Sequence, residues 1–153
     1  MANIVFNISK GRVKEYYARV KGNDPANSAI IIVPIETSGL EADSVLIDKD
    51  DLAAVLSGAT NEQTTMGRKT LADADLAAVA APDDTNDRNE CDLPTVTWAA
   101  ASGNAISKLL VCYDPDTTGG TDSSIIPLTM FDFVQTPSGA DIQMTTGTFF
   151  RAS

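Results

Sequence analysis

Apolar positions are densest between Pro94 and Val134. Thr95-Val96-Thr97-Trp98 alternates polar and apolar residues, which suits a strand with one wet face. Ile106 to Tyr113, ISKLLVCY, becomes apolar at consecutive positions in its second half, which suits a strand covered on both faces. Ser124 to Val134, SIIPLTMFDFV, adds a third run in which Ile126, Leu128, Met130, Phe131 and Phe133 are too dense to stay in water. These runs predict the central strands of a β-rich core.

The flanking segments follow the same logic. Ile4, Phe6 and Ile8 alternate with Asn3, Val5 and Asn7, predicting a short extended lead-in. Ser9 is placed to cap a helix from Lys10 to Lys21, on which Val13, Tyr16, Tyr17 and Val20 form an i, i+3, i+4, i+7 stripe. Gly22-Asn23-Asp24-Pro25 stops that helix. Ala29 to Ile35 is β-branched and short, so it is predicted as a strand, with Pro34 weakening its last ladder bond. Asp48 to Asp51 offers caps for a short helix over Leu52, Ala53, Val55 and Leu56 that Gly58 ends. Met66 to Leu71 is predicted as a brief edge strand. The pentapeptide DLAAV occurs at 51–55 and again at 75–79, too short a match to define a repeated unit. Pro82 to Asp92 is predicted as an acidic surface loop and Asp114 to Asp122 as a long hairpin-like loop. Asp141 to Thr145 and Thr148 to Arg151 supply the last strands. The expected fold is mainly β with flanking helices. It is a β-sandwich or barrel-like body with an N-terminal extended arm and helix over residues 1–22 and a single β-rich globular body over 23–153.

Composition narrows the class. A domain of 153 residues buries about two-thirds of its unfolded surface, enough for a core without metals or disulfides. With 43% hydrophobic and 21% charged residues the chain is expected to be ordered and soluble, and no apolar run approaches the roughly 20 residues of a spanning helix. The opening MANIVFNISKGR has too short an apolar patch for a signal peptide and lacks the basic residues that precede one, so no secretion is expected. Cys91 and Cys112 make no disulfide framework and are expected to be reduced, as in a protein assembled in a cytoplasm.

Charge is uneven. Lys10, Arg12, Lys14, Arg19 and Lys21 stand against Glu15 alone, so residues 1–21 carry +4 and the remainder −14 of the total of −10. Such a body repels nucleic acid and anionic membrane, whereas the basic segment suits an acidic partner surface. The alternative for these cations is the solvated face of a helix.

Candidate chemistry is sparse. The chain has no histidine, which removes Ser-His-Asp triads, Cys-His dyads and histidine-based zinc sites. No nucleophile elbow, phosphate loop or dinucleotide fingerprint occurs. Asp83, Asp84, Asn86, Asp87 and Glu90 match no calcium-loop spacing, and the run beginning at Asp114 places Ile125 where an EF-hand needs its bidentate glutamate. Asp132, between Phe131 and Phe133, is the one acid in a strongly apolar setting, and strand alternation predicts that it points outward. No enzyme activity, cofactor or metal is expected.

Several stretches carry a family likeness: FNISKGRVKEYYARV, NDPANSAIIIVPI, RKTLADADL, PDDTNDR, TVTW, KLLVCYDPDT, IIPLTMFDF and the closing GTFFRAS. In this order they resemble small virion structural proteins of tailed bacteriophages, over nearly the whole chain. PDDTNDR followed by TVTW and the CYD strand end are the most specific part. The resemblance implies a non-catalytic, oligomeric particle component made in the host cytoplasm and carried in the virion. The first expectation is a capsid decoration, or cement, protein whose partners are the major capsid protein and copies of itself. Candidate contacts are Asn3, Ile4, Val5, Phe6 and Ile8, adding as a strand to a partner's sheet or lying in the chain's own, and the basic Lys10, Arg12, Lys14 and Arg19. The alternatives are a neck or tail component forming a ring and a carbohydrate- or receptor-binding module. The module would need an exposed aromatic platform drawn from Trp98, Tyr16, Tyr17 and Tyr113.

Overall fold

The computed structural model describes residues 3–152. Its centre is an antiparallel sheet of five strands: β1 (Asn3–Val5), β2 (Ala29–Glu36), β3 (Lys69–Leu71), β6 (Ile106–Asp114) and β7 (Ile126–Gln135), in the order β1-β7-β6-β2-β3. Two ribbons complete the strands: β4 (Asn89–Leu93) pairs with β9 (Gly147–Ala152), and β5 (Val96–Trp98) with β8 (Ile142–Met144). The helices are α1 (Val13–Lys21), α2 (Asp43–Leu46) and α3 (Leu52–Leu56). The fold is therefore mainly β with flanking helices, at 35% strand and 16% helix. The main sheet runs open from β1 to β3 rather than closing into a barrel.

Both faces of this sheet are covered, which is why β2 and β6 are apolar at almost every position. Ile30 and Ile32 of β2, with Leu109, Val111 and Tyr113 of β6, pack against α1 and the two ribbons. Ile31, Val33 and Ile35, with Leu110 and Cys112, face Leu46, Leu52 and Val55 of α2 and α3, and Phe6. Residues before position 22 thus enter both cores, Phe6 on one face and Val13, Tyr16, Tyr17 and Val20 on the other. The division into an arm-plus-helix unit over 1–22 and a body over 23–153 has no counterpart in the packing.

Pro34 sits inside a central strand without penalty. Its carbonyl accepts from the Gln63 backbone N–H at 2.9 Å, so this side of the residue faces the chain beyond the end of β3, where no ladder donor is needed. Ser9 does not cap α1. It lies in a 3-10 turn at Asn7–Ser9, is buried, and donates its hydroxyl to the Pro127 carbonyl at 2.5 Å. Gly11 takes φ +78° and α1 begins only at Val13, the first residue of the stripe and three residues after the predicted start at Lys10. Asp51 caps α3 as expected, accepting from the Ala54 N–H at 2.7 Å. The acidic loop is shorter than predicted, because Asn89 to Asp92 belong to β4 and Cys91 is buried there.

The two DLAAV segments adopt different structures. At 51–55 both Leu52 and Val55 are buried and the segment is helical. At 75–79 Leu76 alone is buried, Val79 is exposed, and Asp75 accepts from the Ala72 N–H behind it instead of capping forward. One face of α1 holds this second segment down as a strap. Lys14 Nζ donates to the Ala80 carbonyl at 2.8 Å, Tyr17 Oη to Ala77 at 3.1 Å and Lys21 Nζ to Asp73 at 2.9 Å. Tertiary contact overrides the helix propensity that the two copies share.

Ala100, in the turn after β5, has φ +47°, a left-handed conformation that a Cβ disfavours. Its N–H donates to Asp141 Oδ1 at 2.8 Å, which holds it there. Ala100→Gly keeps that bond and relieves the strain. The variant is expected to gain about 0.5–1 kcal/mol, read as a higher urea midpoint with an unchanged slope.

Candidate partner-contact surface

Of the stretch Asn3 to Ile8, Asn3–Val5 is a strand of the chain's own sheet, whereas Asn7 and Ile8 leave the extended conformation in the 3-10 turn at Asn7–Ser9. β1 pairs antiparallel with β7, with Asn3 opposite Phe131, Ile4 opposite Met130 and Val5 opposite Thr129. The Phe6 N–H continues the ladder to the Leu128 carbonyl at 3.0 Å. Ile4 and Val5 are half-buried, Phe6 is fully buried, and Ile8 is 37% exposed. Of the apolar candidates, Ile8 alone presents itself to solvent.

The basic candidates divide in the same way. Lys14 is spent within the chain, donating to the Asn89 side chain at 2.6 Å as well as to the strap. Arg12 Nε and Arg19 Nη2 bracket Glu15 Oε2 and Oε1 at 3.2 and 3.0 Å. Hydrogen bonds from Arg12 and then Arg19 hold the Glu15 carboxyl below its ordinary range. Arg12 also lies 4.7 Å from the centre of the Tyr16 ring, which stacks on Tyr113. Lys10 is exposed beside them. Among the candidates whose burial is described, the exposed ones are Ile8, Lys10, Arg12 and Arg19.

Two ion-pair centres escaped the sequence reading. Lys108 Nζ, on β6, lies 3.1 Å from Asp43 and 2.9 Å from Asp132, its register partner on β7. Burial alone would lower the Lys108 pKa, but the hydrogen bonds to Asp132 and Asp43 outweigh it, and the pKa is raised. Asp132 is half-exposed, as alternation predicts, and its role is to balance this buried ammonium. A lysine directly before the apolar LLVCY half of this strand was the available signal. The second centre is Arg68, which bridges Glu62 and Asp122, both at 2.6 Å. A cavity of about 240 Å³ lies between the end of β7 and the start of β9, walled by Leu93, Phe131, Phe133, Met144 and Phe149.

The aromatic platform is absent from the surface. Trp98, Tyr16, Tyr17 and Tyr113 are all buried, and the Trp98 indole N–H donates to the Gly67 carbonyl at 2.9 Å. Iodide is accordingly expected to quench Trp98 fluorescence several-fold less than that of free tryptophan. Quenching equal to the free amino acid would place the ring in solvent. Both cysteines are unpaired and buried, and burial pushes the Cys91 thiol up to about 11. Among the described residues no three acidic, cysteine or histidine side chains cluster as metal ligands. No family model, curated protein or solved structure matches the chain.

Proposed function

We propose that this chain is a structural protein of a bacteriophage virion: a decoration or cement protein that binds the outer surface of the major capsid lattice and holds neighbouring subunits together. The observation that carries the reading is the exposure of Ile8, Lys10 and Arg12 within five residues of chain. They set an apolar residue and cations directly after the end strand β1, on a molecule whose residues beyond 21 carry −14. A partner segment that is acidic and partly apolar meets both parts of this stretch, and β1, as the outermost strand, lets an extended segment align with it. Each contact is small. Many identical contacts on one shell add through effective concentration, so a weak one suffices. The acidic remainder disfavours nucleic acid and anionic membrane as partners, and the reading includes no catalysis.

The test is binding of the purified full chain to emptied, expanded phage capsids, beside a Lys10→Glu/Arg12→Glu variant. Removing residues 1–21 is unsuitable because Phe6, Val13, Tyr16, Tyr17 and Val20 are core residues. Saturable binding at the multiplicity of the lattice sites, at least tenfold weaker in the variant, is expected. A variant that binds as well as the parent eliminates this stretch as the contact. No binding at all, with ring-shaped oligomers in solution, transfers the chain to the neck or tail.

A further inference from the structure

Residues 3–10 are attached to the fold in an unusual way. Apart from the Ser9 carbonyl, which accepts from the Arg12 N–H at 2.9 Å, the hydrogen bonds that leave this segment among the described residues run to β7 or to the end of α2: Phe6 N–H to Leu128, Ser9 Oγ to Pro127, Asn7 N–H to Ile47 at 2.9 Å, and Asn7 Nδ2 to Asp48. Phe6 is 0% exposed and packs with the residues on the α2–α3 face of the sheet. The next element, α1, packs on the opposite face. The only described link between the two is Lys10-Gly11-Arg12, exposed throughout, with Gly11 at φ +78° and nothing within 4 Å of where a Cβ would stand. The segment thus docks mainly on β7 and α2, with Val5 turned to the α1-side core, and is joined through a glycine-centred hinge in which Arg12 is held over the Tyr16 ring while Gly11 meets nothing.

We propose that this segment exchanges between copies of the chain: the 3–10 arm of one copy docks on β7 and α2 of a second, which returns its own. Each contact of the closed form is remade in the exchanged pair, so the free-energy difference is confined to the hinge and the loss of translational freedom on association. Exchange therefore grows with concentration. It also grows with salt, because two copies of net charge −10 repel until that charge is screened. The inference is independent of the capsid reading, since the occupant is a second copy of this chain. It gives β1 two uses, closing its own sheet in the monomer and cross-linking copies when they are crowded.

The exposed contact between Asn7 and Asp48 provides the test. Chains carrying Asn7→Cys and chains carrying Asp48→Cys are mixed at about 1 mM, oxidised and resolved without reductant. Asn7→Cys mixed with Ser138→Cys sets the collision background. Exchange gives a disulfide heterodimer of twice the 16.1 kDa chain mass, at least threefold above that background. Gly11→Pro should increase the yield further, because proline fixes φ near −65° and cannot hold the closed hinge. The double variant Asn7→Cys/Asp48→Cys, oxidised when dilute, checks the geometry by closing within one chain. Heterodimer no greater than background with either hinge, while the double variant closes, overturns the proposal. If the double variant does not close, light scattering decides: Gly11→Pro as a dimer at about 1 mM supports exchange, and as a monomer it excludes exchange.

Discussion

Trp98→Ala is expected to cost the fold about 4 kcal/mol, the largest loss from any single side chain discussed above. Truncating a buried tryptophan removes its transfer free energy and leaves a cavity that the surroundings fill only in part, typically 3–5 kcal/mol in all. Two local features add to the loss and put it above the lower end of that range. The Gly67 carbonyl loses its indole donor at 2.9 Å, and Lys69 Nζ, 5.8 Å from the ring centre, loses its aromatic partner. A domain of this size has a total stability of about 5–15 kcal/mol, so the variant is left close to its unfolding threshold. Circular dichroism in urea measures this without relying on the deleted fluorophore. Trp98→Phe keeps most of the volume and should lose less than half as much. A loss below about 1 kcal/mol for the alanine variant would mean that the indole is not a core element.

Arg68→Ala is expected to cost about 2 kcal/mol and to alter the response to acid. The guanidinium holds Glu62 through Nε and Nη2 at 2.8 and 2.6 Å, and Asp122 through Nη1 and Nη2 at 2.6 and 2.9 Å. It thereby ties the chain before β3 to the 3-10 turn at Asp122–Ser124 that leads into β7. Breaking a fully buried pair costs about 3–5 kcal/mol, and the 29% exposure of the Arg68 side chain reduces this. Lysine is a poor replacement, because one ammonium cannot serve two carboxylates in a planar fork. The hydrogen bond from Arg68 is the main reason that the Asp122 pKa is lowered. A carboxyl depressed in the folded state contributes its stabilisation above its unfolded pKa of about 3.9, and that contribution is lost as pH falls through the folded value. The parent should therefore lose stability steeply below about pH 4 and Arg68→Ala less steeply. Parallel acid limbs in urea melts at pH 2–5 would show that the fork is not a source of the depressed pKa.

Much of this architecture is legible in the chain because the main sheet is buried on both sides. The apolar runs of β2, β6 and β7 needed no knowledge of their neighbours, since any strand covered above and below must lack polar residues at nearly every position. The α1 stripe was visible for the same reason, as was the Asp51 cap, which acts on a residue three positions away. What was not legible depends on distant partners. Ser9 looks like a cap until Pro127 offers it a carbonyl. The second DLAAV looks like the first until Lys14, Tyr17 and Lys21 claim its backbone. Four-residue α2 is too short to show a period, and the role of Lys108 needs carboxylates from both α2 and β7.

The contact surface shows the same division. Alternation marks Asn3 to Ile8 as extended, but it neither foresees the 3-10 turn at Asn7–Ser9 nor says whose sheet receives Asn3–Val5, a question answered only by the register against Phe131, Met130 and Thr129. Charge marks residues 10–21 as basic but does not separate Lys14, committed to the strap and Asn89, from Lys10, which faces water.

The strap over α1 has a consequence for how the surface can diversify. Its anchors are the main-chain carbonyls of Asp73, Ala77 and Ala80, and Leu76 is its one buried side chain. Ala77, Ala78, Val79 and Ala80 are all exposed, so the residues displayed there are decoupled from the bonds that hold the segment in place. Substitution at these four positions rewrites what the molecule shows to its surroundings while the clamp and the core beneath stay unchanged. The strap is thus a site where new recognition chemistry can be acquired, or foreign peptides displayed, at little cost to the fold.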